Sequence, residues 1–159
     1  MSNLLQILSK IINNYSNPDK NIRDESENTL SELRKQNLGE TIYAFLLLYS
    51  DNSSDYNMKL TSMVLLRKII EIDSKISWAK IDDNKKKEIK NLILKLFINE
   101  QDFNLRNKIS NIIIELIHVS IDFEEIWDEF INLSMSIINY NINDKNQIPF
   151  YNFITKINK

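Results

Sequence analysis

Apolar side chains return along this chain at three- and four-residue steps, the spacing that aligns them on one face of an α-helix. Leu4, Leu5, Leu8, Ile11, Ile12 and Tyr15 do so first and predict a helix from Asn3 to about Tyr15. Pro18 ends it, and Asp19 offers an acceptor to the free N–H groups of the next helix. That second helix runs to about Gln36, with Ile22, Ser26, Leu30 and Leu33 inward. Gly39 marks a turn, and a third segment covers Thr41 to Tyr49. After the polar stretch Asp51 to Asp55, the pattern predicts helices from Asn57 to about Asp73, from Asn84 to Asn99 behind the cap pair Asp82-Asp83, and from Phe103 to Val119. Two more follow, Phe123 to Tyr140 and a last one opening at Pro149, apolar at Phe150, Phe153, Ile154 and Ile157.

One phrase recurs within this pattern. Asn21-Ile22-Arg23, Asn57-Met58-Lys59 and Asn104-Leu105-Arg106 each open a helix after a polar break. The intervals, roughly 36 and 47 residues, lie in the range of helical-hairpin repeats. Such repeats predict an all-α solenoid of about four antiparallel helix pairs, over residues 1–37, 38–74, 82–119 and 123–159. A solenoid of this kind binds other macromolecules along an extended surface. Its apolar final helix lacks the polar outer face of a capping repeat, so the chain reads as cut from a longer stack, with a sticky end prone to self-association.

Composition narrows the chemistry. With 159 residues and 43% hydrophobic content the chain can bury a continuous core. A single glycine and two prolines argue against sheets and phosphate-binding loops. The formal charge of −2 gives no basic face for nucleic acid. Cysteine is absent, which excludes disulfides, thiolate metal sites and cysteine nucleophiles. No apolar run is long enough for a membrane span and no signal peptide is visible, so a soluble intracellular protein is expected. The frequent Asn, Ile and Lys residues are dispersed through periodic helices, as codon bias produces.

Signals for catalysis are weak. His118, the one histidine, has no nucleophile beside it in sequence. Glu124, Glu125, Asp128 and Glu129 read as the solvated face of a helix, and Lys85-Lys86-Lys87 as a helix surface among Asp82, Asp83 and Glu88. No enzyme, cofactor or metal is expected.

From Ile22 to about Ile117 the chain resembles the N-terminal region of the importin beta (karyopherin beta) family. The residues carrying this are Arg23 with Ser26-Glu27 and Leu30, then Leu65-Leu66-Arg67-Lys68-Ile69-Ile70, then Trp78 and Ile81. Lys87, Ile89, Lys90, Leu92 and Leu94 follow. Glu100 with Leu105-Arg106-Asn107-Lys108-Ile109, and Glu115-Leu116, is most similar to the importin-five (beta-three) branch. Phe150 to Ile154 is similar to the matching helix of the branch's fourth repeat, where Pro149 is unusual. Ser26 replaces the usual alanine, and the loop after Leu33 is short.

The resemblance implies right-handed stacked HEAT repeats, each with an outer A helix and an inner B helix. It implies that the first B helices receive the GTPase Ran in its GTP form, while cargo proteins and nucleoporins bind mostly beyond this stretch. The expected location is cytoplasm and nucleus. Positions four apart and off the apolar stripe then give the candidate Ran-facing residues: Glu27, Ser31 and Lys35; Met63, Arg67 and Glu71; Ser110, Ile114 and His118. Met63 and Ile114 fit either a partner contact or wider helix packing. Arg67 fits either an acidic Ran surface or a carboxylate of the neighbouring repeat. The alternative is an unrelated HEAT scaffold of the phosphatase or vesicle-coat type.

Overall fold

The computed structural model describes residues 2–73 and 77–141. These form α1 (Ser2–Tyr15), α2 (Lys20–Gln36), α3 (Leu38–Ser50), α4 (Tyr56–Asp73), a short 3-10 turn (Trp78–Lys80), α5 (Asp83–Asn99), α6 (Phe103–Asp122) and α7 (Asp128–Asn141). No strand occurs among the described residues. Consecutive helices pair as α1 with α2, α3 with α4 and α5 with α6. The odd helices pack in order, α1 on α3 and α3 on α5, while α4 packs on α6 in a second layer. The chain is an all-α helical-repeat solenoid. The expected last helix, from Pro149, lies outside the described residues.

The recurring phrase has a physical role in the turn between the helices of a pair. Its basic residue reaches backward: Arg23 donates to the carbonyls of Asn17 and Pro18, and Arg106 to the carbonyl of Glu100. These carbonyls sit where a helix end leaves acceptors unmet. Lys59, in the second phrase, lies instead over the Tyr49 ring, 5.6 Å from its centre. An aspartate caps each following helix. Asp19 accepts from Asn21 N at 2.8 Å, Asp55 from Met58 N at 2.8 Å, and Asp102 from Leu105 N at 2.9 Å. The phrase is thus a turn clamp.

Between the layers, Ile42, Phe45, Leu46, Leu65, Leu66, Ile89, Ile93, Ile109, Ile112 and Ile113 are buried. Each such side chain contributes about 1.5–3 kcal/mol when removed from water. Ser26 and Ser62 occupy equivalent inward positions, five residues after the phrase's asparagine. Their small size admits the paired helix, and the Ser62 hydroxyl donates to the Met58 carbonyl, so its burial leaves no unmet donor.

Two expectations need correction. Gly39 does not make a turn; it is buried in the first turn of α3, behind the cap Asn37. A Cβ there would lie 3.0 Å from Ile81 Cγ2 and 3.1 Å from Lys85 Cγ. The glycine permits the 81–85 segment to approach the α3 backbone. The helix expected from Phe123 begins only at Asp128, because α6 runs on to Asp122 and residues 123–127 form a loop. Consequently the apolar positions of that stretch divide: Ile126 and Ile131 are exposed, while Trp127 is buried.

Candidate functional site

The exposed side of the even helices carries most of the candidate residues. Arg67 on α4 lies between two carboxylates, Glu71 at 2.8 Å and Glu115 of α6 at 3.1 Å. The second contact crosses from one repeat to the next, so the neighbouring-repeat carboxylate is the partner that Arg67 has in the isolated chain. His118 completes this group, its Nδ1 lying 4.0 Å from the other Glu115 oxygen. On the opposite flank of α4, Lys68 faces Glu27 of α2 at 3.6 Å. The sign of these charges thus alternates from helix to helix: Glu27 on α2, Lys68 and Arg67 on α4, Glu115 on α6. All four are on the surface or only partly covered, where such pairs contribute at most about 1 kcal/mol each.

Other candidates are not at that surface. Met63, Ser110 and Ile114 are buried, with exposures of 1%, 5% and 9%. For Met63 and Ile114 this decides for helix packing, and the Ser110 hydroxyl is spent on the Asn107 carbonyl. Their helices carry neighbours on more than one side, so the buried arc is wider than a single stripe. Ser31 lines a groove of 260 Å³ between α2 and α4, with Leu30, Leu65 and Ile69 also lining it and Lys68 and Arg34 alongside. Lys35 pairs with Glu32 and faces a separate cleft of 470 Å³ with Glu40 and Lys85. The structure therefore brings Arg67 and His118 to Glu115, with Glu71 on Arg67, and leaves Lys35 apart.

Sequence reasoning missed Lys68 and Glu115, although Glu115 stands three residues before His118 on the same helix. It also missed a second polar cluster. The Glu125 carboxylate accepts from Lys86 Nζ and Lys90 Nζ, both at 2.8 Å, and from the Trp78 indole at 3.3 Å. Glu125 is not part of a solvated face, nor is Lys86, whose side chain is 11% exposed. Burial alone pushes the Glu125 carboxyl up, but hydrogen bonds from Lys86, Lys90 and Trp78 outweigh it and hold the group below its ordinary value. Burial likewise pulls Lys86 down, and the Glu125 contact raises it above the ordinary lysine value. Nothing in one-dimensional spacing indicates that loop 123–127 folds back on α5.

Among the described residues no group of three or more potential ligands is placed to hold a metal, and no helix is long and apolar enough to cross a membrane. No family model, curated protein or solved structure matches the chain.

Proposed function

We propose that this chain is the N-terminal portion of a nuclear transport receptor of the importin beta type, that it binds GTP-loaded Ran, and that it acts in protein import. The ordered motifs from Arg23 to Leu116 support this reading. The observation that carries it is the run of alternating charge across α2, α4 and α6, centred on Arg67 and Glu115. A protein partner with complementary charges can exchange these weak surface pairs for its own, which favours orientation and rate of encounter. The module binds and does no chemistry of its own. Cargo and nucleoporins belong mostly to further repeats, and the working compartments are cytoplasm and nucleus.

The test is a pull-down with Ran locked in its GTP or GDP form, using the chain and its Arg67→Glu variant. Selective capture of the GTP form is expected, weakened in the variant by about 1–5 kcal/mol. Circular dichroism must show the variant folded. Equal capture of both forms, or none, would overturn the reading; capture of a phosphatase or coat subunit instead would favour a HEAT scaffold of another kind.

A further inference from the structure

The loop 123–127 joins the third helix pair to α7, and it sets a charged cluster beside apolar side chains, Trp127 buried in the core with Phe123 and Phe130 packed against that core. Glu124 holds a positive φ of 55°, a backbone region that costs a non-glycine residue energy. That turn swings Glu125 inward onto Lys86, Lys90 and Trp78. Lys90 Nζ also lies 5.9 Å from the centre of the Trp78 ring and 5.7 Å from that of Trp127. Trp127 is buried, yet its indole N–H has no hydrogen-bond partner among the described residues. Beside the cluster a cleft of 360 Å³ opens between α5, the loop and the start of α7. The cleft is not an anion site, since Asp83, Asp128 and Glu129 accompany Glu125 around its lysines.

We infer that this loop is a joint, closed by the single Glu125 carboxylate, about which α7 opens from α5 while helices α1–α6 stay together. Two features set it apart from the rest of the stack. Two lysines and an indole converge on one carboxylate across the gap, and the connecting backbone carries, at Glu124, the positive φ found among the described non-glycine residues. An open cleft adjoins it. Opening costs the charged hydrogen bonds but returns two ammonium groups and a carboxylate to water. A buried ion cluster therefore gives a defined closed position at modest net stability.

The chain provides its own reporters, because its two tryptophans, Trp78 and Trp127, both touch the clasp. In the full chain, Glu125→Gln is expected to red-shift indole emission and to increase acrylamide quenching. Amide exchange in residues 128–136 should accelerate by about ten- to a hundredfold, as loss of charged hydrogen bonds implies, with α3 and α4 unchanged. Glu124→Gln, on the exposed neighbour, should change neither. A second measurement needs no variant: in sub-denaturing urea the parent should expose α7 amides and both indoles before those of α1–α4. One shared urea dependence for all helices would overturn the joint, as would Glu125→Gln exchange that rises equally in α3 and α7 or not at all.

Discussion

The junction of α3 with α5 and the junction of α5 with the loop before α7 solve the same packing task in opposite ways. At the first, Gly39 removes a side chain so that Ile81 and the Lys85 stem can lie against backbone. Its polar links sit at the edges: the Tyr49 hydroxyl donates to Glu100, at the end of α5, and Lys85 pairs with Glu40 at 3.0 Å at the rim of the 470 Å³ cleft. At the second, a half-buried carboxylate grips two lysines beside an open cleft. Close apolar contact gives stability that is hard to trade away. Ionic contact gives geometry with little net stability, because desolvation cancels much of the attraction. One stack can thus hold a rigid segment and an adjustable one.

Substitutions at the first junction should show the largest effects. Phe45 is fully buried in α3, so Phe45→Ala should lower unfolding free energy by about 3–5 kcal/mol in urea titrations. A loss under about 1 kcal/mol would deny α3 its place at the centre of the core. Next, Gly39→Val should cost about 1–3 kcal/mol by overpacking against Ile81. Gly39→Ala should be milder, since better helix propensity offsets the displaced Lys85 stem by about 0.5–1 kcal/mol.

The two junctions should also separate by pH. Burial and the Glu100 contact raise the Tyr49 pKa far above its ordinary value of 10.0. Its contribution is therefore complete below pH 10.0 and is lost as pH rises beyond it. Tyr49→Phe should flatten that alkaline loss of stability. The Glu125 pKa is lowered from 4.5, so its contribution is present above that value and disappears as pH falls through the folded pKa. Acid should accordingly loosen α7 first, read as indole exposure while α3 amides remain protected. The smallest effect expected is at Asp102, where Asp102→Ala removes the α6 cap and should cost about 1 kcal/mol.

Much of this was legible in the chain. Periodic apolar spacing locates α1 to α6 within a few residues, and Asp19 and Asp82 are recognisable as caps from the sequence alone. What failed did so for tertiary reasons. Gly39 looked like a turn because glycine's common use is conformational, whereas its role here is to leave space for Ile81. The start of α7 was placed early because Phe123, Ile126 and Trp127 keep helical spacing; the pull of Lys86 and Lys90 on Glu125 overrides it. Of the candidate surface, Arg67, Glu71 and His118 were found at the exposed face. Met63, Ser110 and Ile114 were lost because a helix inside a stack is covered over a wider arc than an amphipathic pattern suggests.

Each of α1 to α6 packs on elements close to it in chain order, chiefly its pair mate and the adjoining pair. Folding such a chain asks for few distant segments to meet, so little loop entropy opposes its first productive contacts. Any clamped turn, with its aspartate cap and backward-reaching basic residue, can act as a starting point from which order spreads in both directions. Refolding on the microsecond-to-millisecond scale of other helical proteins is the kinetic consequence.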